Sequence, residues 1–521
     1  MDILFHLFRR FLPVGFIAGV GLLMFSSFAP VATHRVDSFG VDLTGAAMPS
    51  FDTSQTALAR FPEDPTLVVR VTLDWSQIEI AQGEYNWVGV SGPDLKISSL
   101  AAANRKIIGV LTGGPIYLVS NIENPVDQTQ LLLRWAAFVQ EAVERYGDQI
   151  QDWEIGSQIN TYTGLSPFLY PQNNRTTLRP DPEFYGRLVK TASAVIKEKD
   201  PGAEVWTGTL VGFTSPGCAV NPLTFLLELH GSKAWNVLDG IDFSPERGTL
   251  SPEAQGAVTP ECAASLGTSD TSLAGETRVV QDLIRQLGGK QIRVSLPGFS
   301  GDELAGLISS RNISQDQLAA DLLTRSTVPL LAQNGIPTVF WSMNPGSEGA
   351  AETSLLNLET LLVNAKPLGE VQGRNGTIFE YRFEKGDQVI IIVWRSIEGD
   401  TAAPVTLANL EVRSLKAFPV DAASFDLSGG TEINVDENGN ALMLVNERPV
   451  VLIGKTASLT VGIEQNVQNT IELVQIEFGQ SMRRLANNQK AVLKQWVASL
   501  FDSARDQSIN WGEEQLNELL N

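Results

Sequence analysis

The chain has 521 residues, too many for one ordinary domain, and 43% of them are hydrophobic, enough for a large core and a smaller companion. Its 38 Lys and Arg stand against 59 Asp and Glu, and a net charge of −21 repels phosphate backbones and anionic lipid surfaces, so nucleic acid is excluded as a partner. Two cysteines, Cys218 and Cys262, are too few for a disulfide framework. Together with three histidines, His6, His34 and His230, they also lack zinc-ligand spacing, so no metal or cofactor is expected. One bridge between the two cysteines stays open for a domain outside the cytoplasm.

Residues 11–32 are nearly continuously apolar and carry no charge, while Arg9 and Arg10 precede them and would stay on the cytoplasmic side. Pro30 sits awkwardly in the small-residue stretch where a signal peptide would be cut. Residues 1–35 therefore read as an uncleaved membrane anchor, with a removed signal segment as the alternative. Either way the rest of the chain is expected to be extracytoplasmic, at the cell surface or secreted.

Short apolar runs then alternate with helical patterns, the signature of parallel βα units. Strands are predicted at 38–43, 67–73, 106–111, 151–155, 204–210, 238–243, 291–296 and 337–343. Apolar residues at i, i+3 and i+4 predict helices at 131–146, 185–197, 277–287 and 314–332. Eight such units without a Gly-rich phosphate turn after the first strand predict an α/β fold, a (β/α)₈ TIM barrel, over 36–366. Beyond Pro367 the pattern is strands alone, at 377–383, 388–394, 404–407, 415–418, 441–445 and 450–453, which predicts a small C-terminal β-sandwich over 367–464. Residues 465–521 turn polar and helix-forming and read as a peripheral helical tail, with protein partners unknown.

Several motifs stand in order along the barrel. The second strand gives Val69-Arg70-Val71-Thr72-Leu73-Asp74-Trp75, followed by Ile78-Glu79 and Gly83-Glu84-Tyr85-Asn86-Trp87. The fourth gives Trp153-Glu154-Ile155-Gly156-Ser157-Gln158-Ile159-Asn160. The seventh gives Val294-Ser295-Leu296-Pro297-Gly298-Phe299, and the eighth gives Phe340-Trp341-Ser342-Met343. From Val36 to Gly454 the chain resembles the retaining barrel glycosidases with a β-sandwich appendage, most of all glycoside hydrolase family 39. The resemblance implies a saccharide or polysaccharide partner and a pair of carboxylates at the ends of the fourth and seventh strands, one to protonate the leaving oxygen and one to attack the anomeric carbon.

On that resemblance the acid/base position is Gln158, beside Ser157, and the nucleophile position is Leu296. An amide has no proton to give and an alkyl group cannot form a glycosyl intermediate, so the expectation is a non-catalytic, carbohydrate-binding glycosidase homologue. The sixth strand, Ile241-Asp242-Phe243-Ser244-Pro245-Glu246, also departs from the family's pattern. An active retaining glycosidase with relocated carboxylates is the first alternative, with Asp242 and Glu246 as the candidates and Glu261 and Asp302 in nearby loops. A structural or interaction role in the envelope is the second. Trp75, Tyr117, Ser157, Gln158, Asn160, Tyr162 and Trp341 are the candidate saccharide contacts. Core packing competes with stacking for each aromatic, and an ion pair with Arg70 is expected for Glu154. The long loop at 161–182 would cover the barrel mouth. The sequons at Asn174, Asn312 and Asn375 matter only in a glycosylating host.

Overall fold

The computed structural model describes residues 35–42, 67–88, 93–115, 125–164, 179–248, 250–262, 270–299, 301–308, 313–342, 349–371, 377–396 and 402–456. The N-terminal apolar segment, Tyr117, the sequon asparagines, most of the 161–182 loop and the 465–521 tail lie outside them. Among the described residues no helix is long and apolar enough to cross a membrane.

The barrel strands are β1 (Ser38–Asp42), β2 (Val68–Asp74), β3 (Lys106–Thr112), β4 (Ile150–Ile155), β5 (Glu204–Thr207), β6 (Gly240–Ser244), β7 (Gln291–Leu296) and β8 (Thr338–Ser342). Each pairs in parallel with the next and β8 pairs with β1, so the sheet closes. Helices α1 (Pro93–Ala102), α2 (Pro125–Tyr146), α3 (Pro182–Lys199), α4 (Pro222–Gly231), α5 (Leu273–Gln286), α6 (Gly301–Ile308), α7 (Gln315–Pro329) and α8 (Ala350–Leu362) accompany them.

Local chemistry fixes where several helices start. Asp181 and Asn221 accept backbone N–H groups ahead of α3 and α4, each with Pro in the first turn, and Ser314 forms a reciprocal box with Gln317 at the head of α7. Side chains alternate across each strand. Val71, Leu73, Trp153, Ile155, Ile241, Phe243 and Val294 are buried in the main hydrophobic core, while Arg70, Glu154, Asp242, Arg293, Ser295 and Phe340 meet inside the barrel. A Cβ at Gly40 would overlap the Phe340 ring, and one at Gly240 the Trp206 ring, so glycine makes room for both aromatic rings.

The sandwich strands are β9 (Lys366–Glu370), β10 (Ile378–Lys385), β11 (Gln388–Arg395), β12 (Ala403–Leu407), β13 (Ser414–Pro419), β14 (Thr431–Asn434), β15 (Ala441–Val445) and β16 (Val450–Lys455). They form a six-stranded antiparallel sheet, β9-β10-β11-β16-β13-β14, and a two-stranded one, β12-β15. Ile391, Val393, Val405, Leu407, Leu415, Val445 and Leu452 form the core between them. Buried polar contacts join sandwich to barrel. Glu253 accepts from Arg325 (Nη2, 2.7 Å) and from Trp394 Nε1 (2.6 Å), and Arg448 pairs with Asp321 at 3.1 Å.

Candidate functional site

Inside the barrel, two arginines and two carboxylates neutralise one another. Arg70 Nη2 reaches Glu154 at 2.7 Å and also pairs with Asp242. Arg293 pairs with Glu154 and, at 3.4 Å, with Asp242. Ser295 Oγ accepts from Arg70 Nη1 and donates to Asp242 Oδ1, both at 2.8 Å. The guanidiniums lie on rings, Arg70 over Phe340 at 4.4 Å and Arg293 over Trp206 at 4.0 Å. Burial pushes the Glu154 carboxyl up, against the pull of Arg293 and Arg70. Asp242 is therefore no mouth carboxylate. It is fully buried and engaged by both arginines, which corrects its expected place at the mouth, while the expected Arg70–Glu154 pair is present.

A second polar group stands at the C-terminal ends of β4, β5 and β6, the face on which barrels of this kind build sites. Gln158 Nε2 donates to Glu246 Oε1 at 2.8 Å, and Ser215 Oγ donates to Glu246 Oε2 at 3.1 Å. Gln158 holds a left-handed backbone (φ 48°), a strained conformation for a residue with a side chain, kept in place by Thr161 Oγ1 donating to its carbonyl at 2.8 Å. Burial lifts the Glu246 carboxyl above the ordinary glutamate range, and the bonds from Ser215 and Gln158 pull it part of the way back. Ser157 and Tyr162, close to Gln158 in the chain, are partly exposed.

The wall beside it is stapled. Cys218 and Cys262 form a disulfide across 44 residues, both cysteines are buried, and Thr161 bridges Cys218 through the backbone. Asn160, expected to contact saccharide, instead braces this wall from a fully buried position. Its Nδ2 donates to the carbonyls of Val211 (3.0 Å) and Val220 (2.9 Å), and its Oδ1 accepts from Val211 N.

One expected aromatic contact, Trp75, is also packed away, and a second, Trp341, faces away from the barrel interior. Trp75 is fully buried, stacked on Phe138 with centroids 5.5 Å apart and tilted against Trp135, in the layer between barrel and helices. Leu296 and Trp341 are neighbours in register on β7 and β8. Each follows an inward residue, Ser295 or Phe340, so strand alternation turns it to the outer side. There they line a cavity of about 50 Å³ with Leu273, Glu303 and Ser326 from the helix layer. The register matters less than the composition, because Ser295, Leu296 and Pro297 offer no carboxylate whichever is aligned. Among the fallback loop carboxylates, Asp302 is exposed on α6, and the Glu261 side chain lies outside the described residues.

Sequence reasoning missed Ser215, Arg247, Arg293 and Ser295. For the last two a signal was present: Arg293 and Ser295 share one parity in a strand whose other parity, Ile292, Val294 and Leu296, is apolar.

No protein-family model and no curated protein matches the chain. Solved structures do. A GH30 endoxylanase from Clostridium papyrosolvens C71 is 11% identical, with a TM-score of 0.51, covering 81% of this chain and 97% of that one. A family 51 alpha-L-arabinofuranosidase from Bifidobacterium longum is 10% identical (TM-score 0.49, 81% and 96% covered), and a glucosidase from Croceicoccus marinus 11% (TM-score 0.48, 82% and 96% covered). The first likeness and the closed sheet define the class by its fold: a (β/α)₈ barrel followed by a small β-sandwich, the fold also of that endoxylanase.

Proposed function

We propose that this protein is a cell-surface glycosidase homologue that binds a saccharide at the barrel mouth without hydrolysing it. One observation carries the reading. At the end of β4, where the family 39 resemblance puts a proton-donating glutamate, Gln158 donates an amide hydrogen bond to Glu246. A retaining mechanism needs two carboxyl groups about 5 to 5.5 Å apart, and the end of β7 supplies none. Gln158 and Glu246, both partly exposed and the latter held by the buried Ser215, are still suited to sugar hydroxyls, with Ser157 and Tyr162 as partly exposed neighbours in the chain. The Cys218–Cys262 disulfide supports an oxidising, extracytoplasmic location, with residues 11–32 as the membrane anchor.

A second reading, an active glycosidase with relocated carboxylates, is favoured by Glu246 itself. It is a carboxyl raised by burial and hydrogen-bonded to the residue at the acid/base position. Hydrolysis of a panel of nitrophenyl glycosides and oligosaccharides separates the two, run on the native protein, Gln158→Glu, Leu296→Glu, the double variant and Glu246→Gln. The binding reading expects an inert native protein that holds a saccharide. Native turnover at about 1 to 10³ per second, lost in Glu246→Gln, overturns it in favour of the second reading.

A further inference from the structure

The cavity beside Leu296 and the polar cluster at the mouth meet at one short stretch of chain. Pro245 and Arg247 both wall the cavity, and Glu246 stands between them with its carboxylate turned to Gln158 and Ser215. Neighbouring Cα atoms are about 3.8 Å apart, so the hydroxyl-binding carboxylate and the walls of the apolar recess come from adjacent residues of one stretch of chain. Leu250, Gly248 and Pro297 are exposed at the rim, while Leu296, Leu273 and Trp341 are buried at the floor, so the recess opens at the top of the barrel.

Its size and walls restrict the occupant. At about 50 Å³, with one water-sized group needing about 10 to 15 Å³, it takes a small substituent more readily than a whole ring. Most of the wall is apolar, through Pro245, Leu250, Leu273, Leu296, Phe299 and Trp341, so a hydroxyl there would be desolvated without compensation. Two buried polar groups interrupt the wall, Ser326 and Arg247. The Arg247 Nη1 is committed to the Thr271 carbonyl at 2.6 Å and Nη2 to that of Ala254, and Nη1 is also ion-paired with Glu276 at 3.9 Å. Its Nε is buried and has no hydrogen-bond partner among the described residues, which leaves a donor for the oxygen end of a dipole. A carboxylate in the recess would face Glu303 and a chain of net charge −21. A group of three non-hydrogen atoms with a methyl at one end and an acceptor oxygen at the other meets all of these conditions.

From this geometry we infer that the saccharide recognised at the mouth is acetylated, its acetyl group seated in the recess between Leu296, Trp341 and Arg247. The inference rests on the binding reading above and names its ligand class. The test is calorimetric titration of the full chain with two uncharged pairs: chitotetraose against cellotetraose, and acetylated against deacetylated xylotetraose. In at least one pair the acetylated member binds about tenfold tighter or more, and that preference shrinks in Leu250→Asp, a change at the exposed rim that leaves the core untouched. Equal binding within both pairs overturns the inference and leaves the binding reading standing. A preference that is undiminished in Leu250→Asp removes the recess as its source. Binding of none of the four overturns the binding reading itself.

Discussion

Gln158 and Glu246 are directly coupled, and the Ser215 hydroxyl and the Gln158 amide together offset part of the cost of burying the carboxylate. In Gln158→Glu a second carboxylate would stand in hydrogen-bond contact with the first, and two such groups cannot both ionise, so they share a proton. The pair's folded pKa then rises above the unfolded value of about 4.3. A raised folded pKa gives stability that is complete below the unfolded pKa and lost as pH rises through the folded one. Urea midpoints should therefore place Gln158→Glu about 1 to 3 kcal/mol below the native protein at pH 8, and near it at pH 4. An equal deficit at both pH values would mean that the loss is steric. The Arg70 cluster makes a complementary case. Removing one partner of a buried ion pair leaves the others uncompensated, so Arg70→Met should cost about 3 to 5 kcal/mol. A cost under about 1 kcal/mol would show that water already solvates the barrel interior.

Among the elements, the connections after β4, β5 and β6 shape the mouth, and the disulfide ties two of them together. Closing a 44-residue separation restricts the unfolded chain enough to stabilise the fold by about 4 kcal/mol. Replacing both cysteines by serine should lower the denaturant midpoint accordingly and, because Thr161 bridges Cys218, weaken saccharide binding as well. Unchanged affinity in a destabilised variant would separate the staple from the site. The strands themselves were largely legible. β7 falls at 291–296 as its apolar alternation indicates, and all eight barrel strands stand where periodicity places them. Two sandwich strands escaped for physical reasons. β9 carries Pro367 and Gly369, which both disfavour strands, and β14 (Thr-Glu-Ile-Asn) is a mostly exposed strand with no apolar run to mark it. The site was legible only in part. The motif at β4 placed Gln158, and Glu246 was found as a remaining carboxylate. Which of Trp75, Asn160 and Asp242 reach the mouth depends on side-chain direction and on partners distant in sequence, which a single strand motif does not encode.

At the scale of the whole molecule, burial raises carboxyls in the places that hold layers together. Asp321, at the barrel–sandwich junction, is pushed up to about 7 by desolvation that Arg448 only partly offsets. Glu276, which accepts from the Thr214 backbone beneath the mouth, is also pushed up to about 7 by burial, against Thr214 and Arg247. Glu154 in the barrel and Glu370 in β9 move in the same direction. Each of these has a folded pKa above its unfolded one, so each contributes stability that is fully present below about pH 4 and is lost as pH rises toward 7. Self-repulsion in a chain of net charge −21 acts with the same sign, because protonation relieves it. The exposed or half-exposed Asp94 and Asp270, lowered by their partners, act in the opposite sense with solvent-screened weight. The molecule should therefore be more stable at pH 5 than at pH 8, by at least about 2 kcal/mol. The double variant Glu276→Gln with Asp321→Asn should narrow that gap, since an amide in place of a protonated carboxyl removes the titration and keeps the shape. Calorimetric unfolding at the two pH values checks both statements. Greater stability at pH 8 would show that these carboxyls ionise at their ordinary pKa, which requires water to reach Asp321 and Glu276 in the folded protein.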